Sequence, residues 1–486
     1  MIPNIPRTMS TQHPDNVHRP FFAEHAIIGG EDEVQEAFYA YSHLGCDEQM
    51  WDFEGKEVDN HVVKKLLANN ENFFRTKKLG QDVRLTYRVP NPEVEHSDAK
   101  ILLETLESIP RSFDAAKLFY NEPIAPIFEI IQPMTTSAES LNRIYNYYER
   151  FVSGKESEKV TSGTTVREWI GEFFPKTINV IPMFEDKEHI LDADKILREY
   201  LKDKSVPYQR VFLARSDPAV NYGQIGAVLL NKIALQCLHK LEQELGIPIY
   251  PILGVGSAPF RGNLRPETVS HLLNGYPSVQ TFTIQSSFKF DNPPDVVRHA
   301  IETINNTPRQ APMNVDEEKL LPIIEKYTAE YIRQLKLLVD PINTVARYIP
   351  KRRKRKLHTG LFGYSRNLGE MQLPRAITFT AALYSLGIPP ELLGLNALTP
   401  GDIEEIKKCY ANIVYDIGMS ARLANTQSPF FPKELLSSLS QFTDEKDLNL
   451  PHKEMTDIIA KSIQEKPYAD VSGEVLRAAN IRGFLG

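Results

Sequence analysis

The sequence predicts an α/β fold: eight parallel strands closed into a TIM-type (β/α)8 barrel, with additional, mainly C-terminal, helices. Three observations predict it. Short apolar, β-rich runs end in polar residues and alternate with longer helical stretches. The runs are continuously apolar, as strands buried on both faces are. Between the middle runs lie about 25 to 45 residues, room for the helical crossover that parallel strands need. Eight such units suit a closed barrel. A doubly wound open sheet is the alternative, because the runs themselves do not show closure.

In chain order, AFYAYSHLG (37–45) is the first, weaker, candidate strand. The clear runs are DVRLTYRV (82–89), IAPIFEII (124–131), TINVIPMF (177–184), RVFLARSD (210–217), IYPILGVG (249–256) and VQTFTIQ (279–285). HTGLFGYS (358–365) is a weaker eighth. Between them, ILLETLESIP (101–110) is an amphipathic helix expected to stop at Pro110. IGAVLLNKIALQCLHKLEQELG (225–246) is a long helix ending at Gly246. After about residue 388 the strand signal fades, and Thr399-Pro400-Gly401-Asp402 caps a helical run. The chain, 1–486, therefore reads as one large domain. Residues 1–36 contribute to the site, 37–387 form the barrel core, and 388–486 are a helical extension packed on the barrel.

The 486 residues carry a net charge of −7, which gives no global attraction to nucleic acid or anionic lipid. Three widely spaced cysteines, Cys46, Cys237 and Cys409, argue against a disulfide framework and for a reducing compartment. The N-terminal residues show no secretory h-region, and no apolar stretch approaches the roughly 20 residues of a spanning helix. The expectation is a cytoplasmic protein without a membrane partner.

In such barrels chemistry gathers where strands end at the C-terminal face. Glu185 and Asp186 follow TINVIPMF, and Asp217 follows RVFLAR. Carboxylates from neighbouring strands suit a hard cation, Mg²⁺ or Mn²⁺, with water or substrate completing the shell. Each acid also reads as a helix N-cap. In GVGSAPFRGNL (254–264), Gly254 and Gly256 allow a tight turn with exposed N–H groups, and Arg261 offers a fork for carboxylate or phosphate. It reads equally as a plain glycine-rich turn. His13 lies in a proline-flanked loop, and Arg366 follows the last candidate strand. Arg84 and Arg88 add positive charge near the strand after the first crossover. The run KRRKRK (351–356) should face solvent or an anion. It has neither interleaved aromatics nor zinc-finger spacing, so nucleic-acid binding is not expected. The set points to small, multiply anionic substrates and to enolate or phosphoryl chemistry on a divalent ion.

The segments TMSTQHPDN, GCDEQMWDFEGK, FLARSDPAVNYG and GSAPFRG together resemble archaeal-type phosphoenolpyruvate carboxylases, over essentially the whole chain. The resemblance implies a barrel of the phosphoenolpyruvate/pyruvate superfamily, incomplete or modified, and typically a homotetramer. It implies irreversible carboxylation of phosphoenolpyruvate with bicarbonate to oxaloacetate and phosphate, through carboxyphosphate and a metal-stabilised pyruvate enolate. By local motif, His13 is similar to the essential histidine of TAHPT in the larger bacterial and plant enzymes. Glu185 and Asp217 resemble the metal ligands of their LFET and SDSAKDAG segments. Arg261 resembles the second arginine of GRGGTVGRGG, and Arg366 the arginine of GSRPAKR. The lysine of SDSAKDAG falls on Val220, and the histidine and first arginine of HGRGG fall on Leu253 and Val255. Arg215, Lys289, Arg84 and Arg88 are the candidates to replace the missing charge. A lyase, a mutase-like enzyme or a kinase of the same superfamily would share the metal and enolate logic.

Overall fold

The computed structural model describes residues 4–53, 59–96, 99–354, 366–368, 371–444, 447–466 and 469–486. Eight parallel strands follow one another around a barrel: β1 (Thr8–Ser10), β2 (Glu48–Asp52), β3 (Arg84–Arg88), β4 (Glu129–Gln132), β5 (Asn179–Phe184), β6 (Gln209–Ala214), β7 (Ile249–Gly254) and β8 (Thr281–Ile284). Met9 of β1 pairs with Thr283 of β8 on one side and Glu48 of β2 on the other, which closes the barrel.

Six of the expected runs contain or overlap these strands. Two strands come from elsewhere. Thr8–Ser10 is three residues long and lies within 1–36, and Glu48–Asp52 (EQMWD) is mostly polar, so neither makes an apolar run. Ala37–Gly45, expected as a strand, is helical: α1 (Glu31–Tyr39) runs into a π-turn that ends at Gly45, in the left-handed conformation at φ 80°. Val34, Ala37, Tyr41 and Leu44 are buried at spacings of three and four, a helical stripe that the run of aromatics disguises. The other weak candidate, 358–365, lies outside the described residues.

Two helices run longer than expected. The helix through 101–110 does not stop at Pro110 but spans α2 (Ala99–Tyr120). Its buried stripe continues through Phe113, Ala116 and Tyr120, and that packing outweighs the lost backbone donor of Pro110. The helix ending at Gly246 begins nine residues earlier than expected, as α3 (Ser216–Leu245). It is broken at Gly223, where φ is 75° and a Cβ would stand 2.7 Å from the Tyr327 ring. After residue 388 the described elements are all helical, and Thr399 and Asp402 form the expected capping box.

Side chains in a strand alternate between the barrel interior and the helix layer. The middle interior layer is apolar: Met9, Met50, Ile131, Ile181, Met183, Phe212 and Ile252. Below it, at the N-terminal end, the interior positions are charged. Arg210 on β6 grips Glu48 on β2 through two contacts of 2.8 and 2.6 Å, and reaches Glu129 on β4 at 3.0 Å. Arg84 on β3 meets the same Glu129 oxygen at 2.8 Å. All four side chains are almost wholly buried. Burial favours losing the charge on Arg210, but the two carboxylates outweigh it and raise its pKa. Burial opposes the Glu129 charge too, and Arg210 and Arg84 reverse the effect and lower its pKa.

Removing one partner of such a cluster leaves a buried charge without compensation, at a cost of about 3–5 kcal/mol. Glu129→Gln is therefore expected to lower the midpoint of urea unfolding substantially. An unchanged midpoint would show that the cluster does not hold the barrel floor.

Candidate active site

The next interior positions along each strand reach the C-terminal mouth. Asp52 and Arg88, paired in register at the ends of β2 and β3, form a buried two-point ion pair at 2.9 and 2.7 Å. Glu185 follows Phe184 of β5 and continues the interior alternation of Ile181 and Met183; it is half-buried. Asp217 lies in the first turn of α3, at the end of the adjacent β6, and is also half-buried. Asp186, by contrast, is a helix N-cap: its carboxylate accepts the His189 backbone N–H at 3.1 Å and meets His189 Nδ1 at 2.6 Å.

Arg261 organises the mouth. Its Nε donates to Ser216 Oγ (3.1 Å), Nη1 to Asp15 Oδ2 (3.3 Å) and the Gly486 carbonyl (2.8 Å), and Nη2 to Gln285 Oε1 (2.6 Å). Four hydrogen bonds leave one of the five guanidinium N–H groups. The side chain thus joins the start of α3, the N-terminal loop, the end of β8 and the C-terminal residues, and its field also reaches Asp217. With these bonds made, the guanidinium is held against four segments of the chain.

Asp15 completes the tie. It is fully buried and accepts from Ser287 N (2.7 Å) and Ser257 N (3.4 Å) as well as from Arg261. Burial pushes its carboxyl up, against the Arg261 charge and the two amides. These bonds hold the loop carrying His13, whose backbone carbonyl accepts from Ser286 N at 3.3 Å. The half-buried imidazole is oriented through Nδ1 by Thr11 Oγ1 at 2.9 Å. The sequence names neither Asp15 nor Gln285; Asp15 stands inside the HPDN segment, but nothing in its spacing marks it as the anchor.

The two glycines of the loop serve packing. A Cβ on Gly254 would stand 2.7 Å from the Phe212 ring, and one on Gly256 would stand 2.8 Å from Arg261 Nη1 and 3.0 Å from Gln285 Oε1. Gly256 is what lets the guanidinium lie flat against the loop.

Three charge candidates are placed elsewhere. Arg84 belongs to the ion cluster at the opposite end of the barrel, where its Nη2 also donates to the Asn4 carbonyl at 2.7 Å. Lys289 is fully buried and spends its three donors on Ser10 Oγ, the Thr11 carbonyl and Glu36 Oε1 at 2.8–2.9 Å. Arg215 falls out of phase with the interior residues Arg210, Phe212 and Ala214, so it turns away from the mouth into the helix layer. The backbone of Arg366 pairs with Leu373 in a short antiparallel hairpin; its side chain lies outside the described residues.

Sequence comparison decides which chemistry this mouth belongs to. Residues 5–486 match the family model described as phosphoenolpyruvate carboxylase. A phosphoenolpyruvate carboxylase of Methanothermobacter thermautotrophicus is 56% identical over 482 residues, 99% of this chain and 100% of its own. Those of Pyrococcus furiosus and Halobacterium salinarum are 52% and 48% identical, again over 99% of this chain and 100% of theirs. The chain belongs to the phosphoenolpyruvate carboxylase family.

Within that family's pattern, the three positions where the sequence departs are core positions here: Val220, Leu253 and Val255 are fully buried. The basic run is also partly structural. Arg352 donates to the carbonyls of Asn16 (3.1 Å) and Val17 (2.6 Å), and buried Arg353 pairs with Glu33 and Glu36. These two cations clamp the N-terminal segment rather than face solvent, a correction to the solvent-facing reading; 355–356 lie outside the described residues.

Gly256→Ala pushes a methyl group into a guanidinium pinned by four bonds. Displacing a positioning group by about 1 Å costs on the order of 100-fold in rate, and that loss in turnover is the expected result. Full turnover in the variant would show that Arg261 does not need this seat.

Proposed function

We propose that this chain catalyses the carboxylation of phosphoenolpyruvate by bicarbonate, giving oxaloacetate and phosphate, at the C-terminal mouth of the barrel. The observation that carries the reading is the match to the family over residues 5–486. Half-buried Glu185 and Asp217 at adjacent strand ends support the location.

The donor set fits a hard divalent cation. No cluster of three or more His, Cys, Asp or Glu side chains suited to a metal occurs among the described residues. Two carboxylates are nevertheless what Mg²⁺ or Mn²⁺ needs from a protein when water and substrate fill the other positions. Glu185 and Asp217 would hold it, and there it would supply Lewis acidity to substrate oxygens.

In the reaction, a bicarbonate oxygen attacks the phosphorus, and the phosphoryl group leaves the enol oxygen. Carboxyphosphate then splits to CO₂ and phosphate, and carbon 3 of the enolate captures the CO₂. His13, oriented through Thr11, has the chemistry to take the proton that bicarbonate loses. Arg88, held by Asp52, and Arg366 supply positive charge toward phosphoryl and carboxylate oxygens. Arg261 keeps the His13 loop, Ser216 and Gln285 in register, and so excludes water from the reactive intermediates. Arg84, Arg215 and Lys289 have other employment and take no part. The family reading also supports a homotetramer working in the cytoplasm without nucleic-acid or membrane partners.

The test is oxaloacetate formation coupled to NADH oxidation by malate dehydrogenase. Signal should require phosphoenolpyruvate, bicarbonate and Mg²⁺ together. Glu185→Gln and Asp217→Asn should each lose at least 100-fold in turnover and shift the Mg²⁺ requirement upward. Activity without bicarbonate would sink the reading, and variants with an unchanged Mg²⁺ requirement would remove these two acids as ligands.

A further inference from the structure

Between the helix Ala138–Tyr147 and β5 the chain builds an arm outside the barrel. A π-turn (Tyr148–Ser153) leads to a 3₁₀ turn (Gly154–Ser157), an antiparallel hairpin (Lys159–Thr161 with Thr164–Thr165) and a five-residue helix (Val166–Ile170). Its base is pinned. Glu156 accepts from the Phe173 N–H at 3.0 Å and pairs with Lys176 at 2.7 Å. Lys155 pairs with Glu107 of α2 at 3.1 Å, and the Phe174 ring packs on Phe113 at 4.6 Å.

Beyond that base the arm has no core. Among the described residues, none from 154 to 174 is buried. A two-stranded hairpin alone is marginal in water, and so short a helix does not hold by its own hydrogen bonds. A capping box gives local support: the Thr165 N–H donates to Glu168 Oε2 (2.7 Å) and the Glu168 N–H to Thr165 Oγ1 (3.2 Å). Yet the arm displays large apolar side chains. Trp169 is 67% exposed, Phe151 61%, Ile170 58% and Val160 46%. The helix packs beside the hairpin and the 3₁₀ turn, and that turn beside Tyr148–Ser153, so the four belong to one continuous structure.

With about 150–250 Å² for a whole aromatic side chain, these four expose on the order of 400 Å² of apolar surface. A specific interface takes about 800 Å² and 20–30 residues from each partner, a little over half of it apolar. Residues 151–174 match that measure in length and in apolar area. Charge decides the kind of partner. From 154 to 176 the arm carries four basic and four acidic residues, so it offers no net field to a strongly charged protein. A two-fold pairing sets a patch against itself. Glu158 and Lys159, side by side and exposed, give each copy a complement on the other. We propose that residues 151–174 form an interface between two copies of this chain, with Trp169 and Ile170 at its centre. This surface belongs to the homotetramer proposed above and rests on that reading for the number of copies alone.

The experiment is sedimentation velocity of the whole protein over a range of concentrations, for the wild type, Trp169→Glu and Ile170→Glu. Neither side chain is buried, so both variants should fold, which circular dichroism checks. The wild type should sediment as an oligomer. Each variant should need at least ten times the concentration to assemble to the same degree, because a central apolar anchor carries a large share of binding energy. Hydrogen exchange at the amides of 159–170 should be slow in the assembled wild type and at least tenfold faster in Trp169→Glu. A wild type that stays monomeric would overturn both the homotetramer and this surface. An oligomeric wild type whose variants assemble equally well, or whose arm amides exchange as fast as those of Trp169→Glu, would overturn the surface alone.

Discussion

Closing eight parallel strands forces every second side chain of each strand into one narrow interior, and the rest of this structure follows from that constraint. A charged residue in phase with the interior has no water to face and must find a partner there. At the floor, Glu48, Arg84, Glu129 and Arg210 find one another. At the middle the layer is apolar. At the mouth the same phase places Asp52, Arg88, Glu185 and Gln285 at the ends of their strands. One step out of phase, Arg215 belongs to a different compartment although it directly precedes Ser216 and Asp217. Position next to a site residue in sequence thus says little; parity along the strand decides.

The second constraint is that the barrel begins with a strand of only three residues. So short an element cannot hold itself in a closed sheet by its own ladder. Buried cations do much of that work: Lys289 bridges β1 to Glu36 of α1, Arg353 reinforces Glu36 and Glu33, and Arg352 grips the carbonyls of Asn16 and Val17. Burial disfavours the Glu36 carboxylate, yet Arg353 and Lys289 together bring its pKa below the usual range. The loop with His13 hangs on this frame and on Arg261, so the geometry of the mouth depends on segments far apart in the chain.

Much of the fold was legible because six strands are apolar runs of ordinary length. The two that escaped are informative. Glu48–Asp52 is polar because its interior positions enter the floor cluster and the Asp52–Arg88 pair, so its chemistry hides it from a hydrophobic pattern. Thr8–Ser10 is too short to make any pattern. The false strand at 37–45 shows the reverse error: consecutive Phe, Tyr, Ala and Tyr resemble a β run but are buried at helical spacing. At the site, the acids and His13 stand out by chemistry and motif. The roles of Asp15 and Gln285 do not, because each is defined by Arg261, 246 and 24 residues away; Gly256 stands out as a turn glycine, but its place against the Arg261 guanidinium is visible only in the fold. Arginine was the residue type most easily misread. Arg84, Arg215 and Arg261 carry the same charge on paper and are all buried, and only their partners and their phase along the strands separate a floor ion pair, a side chain turned into the helix layer and a guanidinium that joins four segments.

In the proposed reaction, bicarbonate itself attacks phosphorus at this mouth. The most direct measurement is the fate of oxygen from uniformly ¹⁸O-labelled bicarbonate, read by mass spectrometry of the released phosphate. Transfer through carboxyphosphate predicts one labelled oxygen in each phosphate and the other two in the new carboxylate of oxaloacetate. Unlabelled phosphate, formed alongside oxaloacetate, would contradict the account.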